Sequence, residues 1–200
     1  MVKKGFVLKK KSGLNLKVLV PVFIIGILVL STIGFILGQN TEQQTEITGG
    51  VVKYGGFEFY KTQNDKWVVN VGGKQYLFDY SPDELSSINV PYFVVPDRVY
   101  LLFEPVEKDN NMEYAFTKLY STLSNLGKRA VFACISEENC PDVPIKDCSE
   151  DFAFYLKKGV EEEGSVEGRV FIDQNCVVIE GDAVGMSKAV EAVELRILGV

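Results

Sequence analysis

The apolar residues of this 200-residue chain fall into one long uninterrupted run, followed by many short patterned stretches. The long run covers residues 18–37, twenty residues without a charged side chain. As a helix it would be roughly 30 Å long, which matches the hydrocarbon core of a bilayer. The run therefore predicts a transmembrane helix, and a buried core helix is the weaker interpretation.

The charges on either side of this run predict its orientation. Six lysines precede it, and the first acidic residue of the chain, Glu42, follows it. Because short basic flanks stay on the cytoplasmic side, we expect a cytoplasmic tail at 1–17, an anchor at 18–37, a polar linker at 38–50 and an extracytoplasmic domain at 51–200. A cleaved signal peptide is the competing interpretation. The run exceeds the about 7–15 apolar residues usual for such signals, which favours an uncut signal anchor in the cell membrane.

Two glycines near the outer end of the run have the spacing of a helix-packing motif. Gly34 and Gly38 are four residues apart, which lets two membrane helices approach closely. Glycine is common in membrane helices, so the pair is weak evidence for a homodimer.

After the linker, apolar and polar residues alternate as they do in β-strands. Such stretches occupy residues 57–61, 67–71 and 76–78, separated by a polar turn and by Gly72-Gly73. The pattern predicts a three-stranded antiparallel meander over residues 51–80. Ser81, Pro82 and Glu84 then form the signature of a capped helix start.

The rest of the chain predicts a second set of elements, over residues 97–200. An apolar strand at 99–103, helical periodicity from Met112 to Leu126 and a strand at 130–135 predict a right-handed parallel β-α-β crossover. Three more strands are predicted at 152–156, 169–172 and 176–179, followed by a C-terminal helix over 184–198. The predicted fold is α+β: the meander, then a two-layer α/β core.

Charge and composition exclude several classes of function. Six of the 21 basic residues precede the anchor, which leaves 15 against 27 acidic residues outside the membrane. A net charge near −12 repels nucleic acid. The chain has no histidine, which excludes imidazole zinc sites and Ser-His-Asp or Cys-His catalysis.

The four cysteines all lie in the predicted extracytoplasmic domain. In an exported domain, Cys134, Cys140, Cys148 and Cys176 are most simply two disulfides, and the close cysteine pairs of a zinc site or a C-x-x-C redox centre are missing. Three connectivities are open. We expect Cys140–Cys148 to close a short loop and Cys134–Cys176 to join two neighbouring antiparallel strands.

The cysteine loop is also rich in carboxylates, among them Glu137, Glu138, Asp142 and Asp147. Carboxylates are the ligands that calcium prefers, and a separated pair of them could hydrolyse glycosides. The loop lacks an EF-hand pattern, so these four residues are weak calcium candidates, and exposed acidic side chains on a stapled loop are the simpler interpretation. We expect no metal, no cofactor and no catalytic residue.

Several landmarks together suggest a relationship to other proteins. They are the basic terminus with its anchor, the aromatic meander at 57–78, VFAC at 131–134, PIKDC at 144–148 and NCVVIEG at 175–181. The chain thereby resembles an uncharacterised family of single-pass, surface-facing membrane proteins of archaea. The resemblance implies an envelope location and the use of cystines. It implies no activity, so no residue role can be transferred.

A compact domain on a tether and anchor, without a recognisable reaction centre, is typical of a binding or scaffolding protein. We expect a non-catalytic role in the cell envelope, with a protein partner there. The alternative is an envelope hydrolase or carbohydrate-active enzyme that uses paired carboxylates. A deep pocket with two acidic groups of raised pKa would favour the enzyme.

Overall fold

The computed structural model describes residues 47–105, 110–159 and 168–200. The predicted cytoplasmic tail, the anchor with Gly34 and Gly38, and most of the linker lie outside these residues. Within the described ranges, no helix has both the length and the apolar composition needed to cross a membrane. The anchor and the Gly34–Gly38 homodimer therefore stay predictions.

The first part of the described chain is an antiparallel sheet of four strands. These are β1 (Ile47–Tyr54), β2 (Phe57–Thr62), β3 (Trp67–Val71) and β4 (Lys74–Phe78), in that order across the sheet. Gly55-Gly56 and Gly72-Gly73 make two of the hairpin turns with the positive φ angles that glycine tolerates. The meander is thus confirmed, with one strand more than predicted.

The missed strand, β1, pairs with β2 so that Val52 lies opposite Phe59. It was missed because Gly49-Gly50 weakens its strand propensity and the apolar pair Val51-Val52 interrupts the alternation of apolar and polar residues in its sequence. The predicted linker therefore ends before Ile47. After β4, the short helix α1 (Pro82–Leu85) begins at Ser81, whose reciprocal hydrogen bonds with Glu84 form the predicted capping box.

The second sheet has five strands: β5 (Arg98–Phe103), β6 (Arg129–Cys134), β7 (Ala153–Lys158), β8 (Arg169–Asp173) and β9 (Cys176–Gly181). Their order across the sheet is β6-β5-β7-β9-β8, with all neighbouring pairs parallel except β8 with β9. Helix α2 (Asn110–Asn125) joins β5 to the parallel strand β6, which confirms the crossover. Helix α3 (Ala183–Leu198) ends the chain and has Asp182 as its N-cap.

Helix α3 is covered on two sides, so the meander adds a further layer to the predicted two-layer α/β core. One side packs with Val177 and Ile179 of the five-stranded sheet, through residues such as Val190. The other side contributes Ala192, Leu195 and Leu198 to a second core with Phe59 and Phe78 of the meander. The α+β fold therefore has three layers, with α3 between the two sheets.

The structure confirms two disulfides and corrects how they are paired. Cys134 bonds Cys140, and Cys148 bonds Cys176. Cys134 ends β6 while Cys176 begins β9, and two parallel strands, β5 and β7, lie between them. Strands are about 4.8 Å apart, so these two cysteines are far beyond the about 7 Å that a disulfide can bridge. The expected Cys134–Cys176 and Cys140–Cys148 bonds are wrong.

Glycine allows the start of α3 to lie directly against the edge of the five-stranded sheet. A Cβ atom added to Gly168 would be 1.9 Å from the carbonyl oxygen of Gly185, and one added to Gly181 would be 2.6 Å from the backbone nitrogen of Met186. Both positions are backbone against backbone, so no side-chain movement could relieve the overlap.

The change Gly168→Ala should therefore lower the free energy of unfolding by about 1–3 kcal/mol or more, because α3 must move away from the sheet. Urea unfolding monitored by the fluorescence of Trp67, the one tryptophan, measures this. Gly50→Ala is the matched control, because its added Cβ would meet nothing within 4 Å, and it should change stability by less than about 0.5 kcal/mol. Equal stability of the two variants would contradict the close packing.

Candidate functional site

A pocket of about 390 Å³ opens between β4 and α2. On the side of the meander, the pocket is lined by Gln75, Tyr76 and Leu77 of β4, and by Asp79 just after that strand. Lys66, the residue before β3, also lines the pocket. The lining residues of the two helices are Tyr114, Thr117, Lys118, Ser121, Thr122, Asn125 and Glu194. The volume lies in the range of small-molecule sites, and most of the lining side chains are polar.

Asp79 is the most heavily hydrogen-bonded carboxylate in the pocket wall. It accepts from the ammonium groups of Lys66 and Lys118, the latter at 3.3 Å, and from the Tyr114 hydroxyl at 2.8 Å. Burial by itself would raise the pKa of Asp79. The hydrogen bond from Lys66 and the charge of Lys118 outweigh burial and hold this pKa well below its usual range. Asp79 is therefore ionised at neutral pH.

Glu191 lies beneath the pocket and is fully buried in α3. Its Oε1 accepts from the backbone N–H of Asp79 at 2.8 Å and from Lys118, and its Oε2 accepts from the backbone N–H of Tyr80 at 3.0 Å. Burial raises the pKa of Glu191, and the charge of Lys118 and these N–H donors oppose the rise. Three N–H donors on two oxygens satisfy a carboxylate, so this contact joins α3 to the chain just after β4.

Glu194, one helical turn further along α3, differs from Asp79 in its protonation state. It is buried, and the Thr122 hydroxyl donates to its Oε1 at 2.7 Å. Burial raises the pKa of Glu194 to about 8, against which the charge of Lys118 and the Thr122 hydrogen bond act only in part. Glu194 is therefore protonated at pH 7. With Glu194 neutral, the ammonium groups of Lys66 and Lys118 lie against the carboxyl groups of Asp79 and Glu191.

Sequence reasoning missed this site because its members are far apart in the chain and belong to three elements. The signal that could have found part of it is in α3. The predicted apolar face of that helix consisted of Met186, Ala189, Val190, Val193 and Ile197. In the structure ten residues of the helix are buried, and two of these are glutamates. A helix that is apolar on nearly all sides, with two acidic residues, predicts buried carboxylates that need partners on neighbouring elements.

The acidic residues singled out from the sequence lie elsewhere. Glu137, Glu138, Asp142 and Asp147 are all exposed on the loop between β6 and β7. Asp147 accepts hydrogen bonds from the backbone and hydroxyl of Ser149, at 2.8 and 2.6 Å. In the described ranges, no group of three or more Cys, Asp or Glu side chains is arranged to hold a metal ion. The loop carboxylates are therefore solvated groups in this structure.

The raised pKa of Glu194 predicts that stability falls as pH rises. The unfolded chain releases this proton near the ordinary value of 4.5, whereas the folded chain holds it to about 8. Between these values the folded state binds more protons, so its stability is full below pH 4.5 and is lost up to about pH 8, by at most about 1.4 kcal/mol per pH unit. Asp79 titrates below this window and Lys118 above it, while Glu191 acts in the same direction as Glu194.

Urea unfolding of the disulfide-intact protein from pH 5 to 8 measures this slope. In Glu194→Gln, which keeps the shape and has no proton to release, most of the slope should disappear. Glu113→Gln, at an exposed position of α2, is the control and should keep the slope of the natural chain. The same slope in Glu194→Gln and in the control would refute the assignment.

Lys118 should be the group on which the cluster depends most. Lys118→Met removes the cation shared by Glu191 and Asp79, and leaving buried charge unpaired costs about 3–5 kcal/mol. Lys128→Met breaks an ion pair with Asp97, whose side chain is fully exposed, and should cost less than about 1 kcal/mol. Urea unfolding at pH 7 compares the two, and a similar loss in both would show that the buried cluster contributes little.

Comparison of the chain with known protein families, curated proteins and solved structures found no match. The pocket itself combines paired charges with hydroxyl and amide side chains in its lining.

Proposed function

We propose that the chain is a non-catalytic binding domain of the cell envelope, and that its pocket takes an uncharged, hydroxyl-rich ligand such as a saccharide. The observation that carries the proposal is the pairing of charges at the pocket. Asp79 is paired with both Lys66 and Lys118, and Glu191 is paired with Lys118. A site whose charges are neutralised internally attracts neither a strongly anionic nor a strongly cationic ligand.

The groups left for a ligand are polar and uncharged. Among the described residues, the side chains of Gln75, Ser121 and Asn125 have no hydrogen-bond partner, and all three are exposed at the pocket. Leu77 and Tyr114 expose about half of their surface, 52% and 50%, beside them. Alternating hydroxyl or amide groups and apolar surface fit the hydroxyls and the C–H faces of a sugar ring.

The location of the domain is part of the same proposal. Residues 18–37 would anchor it in the cell membrane, with the basic tail inside and the domain outside. All four cysteines are paired, as expected of a domain in an oxidising compartment. A protein partner in the envelope, and a homodimer through Gly34 and Gly38, remain proposals.

The second candidate is a carbohydrate-active hydrolase, and one observation favours it. Asp79 and Glu194 line the same pocket, and their pKa values are moved in opposite directions. One ionised and one protonated carboxyl is the arrangement of a glycosidase. However, Asp79 already accepts three hydrogen bonds, and Glu194 is only 1% exposed, so neither is free to meet a substrate.

A saccharide-binding assay tests both candidates. The full chain, kept in a detergent without a sugar headgroup, is titrated with neutral disaccharides and with a charged uronic acid, with NMR saturation transfer as the signal. We expect neutral sugars to bind and the charged one not to. Asn125→Ala should weaken binding about ten-fold, the loss of one or two hydrogen bonds, whereas Asn70→Ala, at an exposed position outside the pocket, should not.

The products distinguish the two candidates. Sugar that is bound and recovered intact supports a binding domain. Release of monosaccharide by the natural chain, abolished in Glu194→Gln while binding persists, would establish the hydrolase instead. If none of the sugars binds, the proposed class of ligand is wrong.

A further inference from the structure

Strand β6 forms one outer edge of the five-stranded sheet, and part of its hydrogen-bonding capacity is open. The backbone N–H of Arg129 donates to the carbonyl oxygen of Asp97 at 2.7 Å, and the backbone N–H of Ile135 donates to the carbonyl oxygen of Phe103 at 3.2 Å. Both N–H groups therefore point inward, toward β5. Because backbone direction alternates along a strand, Ala130 and Phe132 direct their N–H and C=O groups outward. In the described part of the chain, β6 pairs with β5 on its inner side, and no strand pairs with it on its outer side.

A short segment of the same chain already adds to this edge at one end. Cys134, the last residue of β6, donates its N–H to the carbonyl of Pro144 at 3.0 Å, and its own carbonyl accepts from the N–H of Lys146 at 2.9 Å. Ile145 thereby makes a parallel bridge with Cys134. The edge therefore accepts an extended segment where one is available, and it stays open from Ala130 to Phe132.

An apolar groove of about 390 Å³ lies beside the open part of the edge. Its walls are Phe103, Phe116, Phe132, Pro141 and Val143, with Glu113 and Thr117 completing the lining. Phe132 is 36% exposed and stacks on Tyr120 of α2 at a centroid distance of 5.4 Å. An extended chain paired with β6 would place alternate side chains on this face of the sheet, where the groove can receive one.

The charge around the groove indicates which segments would fit. Glu113 lines the groove, and the loop that supplies Pro141 and Val143 also carries the exposed Glu137, Glu138 and Asp142. A segment with lysine or arginine beside its apolar residues would complement this charge, whereas an acidic segment would be repelled.

We propose that the open edge of β6, together with this groove, binds an extended segment of a partner protein, with basic residues flanking the apolar side chain that enters the groove. The segment adds a strand to the sheet, and its main chain pairs with Ala130 and Phe132. This surface and the polar pocket share the lining residue Thr117 but differ in their other lining residues, and the proposal does not depend on the pocket's ligand.

A peptide of seven residues tests the proposal: valine or leucine at alternate positions, threonine between them and lysine at both ends. Fluorescence anisotropy of the labelled peptide with the full chain in detergent measures binding. Phe132→Ala opens the groove wall, and Ala130→Pro removes an outward N–H while leaving the inner ladder intact. Each should weaken binding about ten-fold or more. Phe171→Ala, an equally exposed phenylalanine on the opposite edge strand β8, should not.

Three further readouts separate strand addition from simple apolar contact. Peptide should slow the hydrogen exchange of the Ala130 and Phe132 amides, an N-methylated peptide should not bind, and a scrambled peptide with clustered apolar residues should bind weakly.

Phe132→Ala keeps the test decisive if Ala130→Pro does not fold. Absence of binding at millimolar peptide, equal binding to Phe132→Ala and Phe171→Ala, or equal binding of the N-methylated peptide would overturn the proposal. A concentration-dependent dimer of the natural chain that peptide cannot displace would also overturn it and assign the edge to a second copy.

Discussion

An ion pair between Lys118 of α2 and the fully buried Glu191 of α3 connects the elements that form the core. Glu191 also binds the backbone at Asp79 and Tyr80, so a single carboxylate holds both helices and the end of the meander in one arrangement. Apolar side chains cover α3 on most sides, and its close backbone contacts with Gly168 and Gly181 lie only at its first turn. Further along the helix, the ion pair and the two backbone hydrogen bonds of Glu191 supply contacts of defined geometry.

Helix α2 connects the two surfaces for which we propose binding roles. Thr117 lines both the polar pocket and the apolar groove. Its neighbour Lys118 lines the pocket, and its other neighbour Phe116 lines the groove. The same helix is held by the buried cluster on its inner side. A ligand on one surface would therefore contact an element that also shapes the other, although the two sites differ in chemistry: hydroxyl and amide groups on one, aromatic rings and acidic charge on the other.

The sequence was sufficient where structure is local and insufficient where it is not. Alternation and glycine turns predicted the meander from Phe57 onward, and helical periodicity predicted α2 and α3, because these signals lie within a few residues of one another. The strand order and the cystine pairing depend on which strands become neighbours, so Cys134 and Cys176 were wrongly joined. The buried cluster was missed for the same reason: Asp79, Lys118 and Glu191 are distant in the chain, and only the packing of α3 brings them together.

The Cys148–Cys176 bond closes a ring around β7 and β8. Its two cysteines are 28 positions apart, and the ring also contains the connection between β7 and β8. If a protease cut the backbone once within that ring, the disulfide would still join the two pieces, and no fragment would be released. Outside a cell, where proteases are abundant and thiols are oxidised, the domain would survive such a nick as a single particle, and only reducing conditions would reveal the cut.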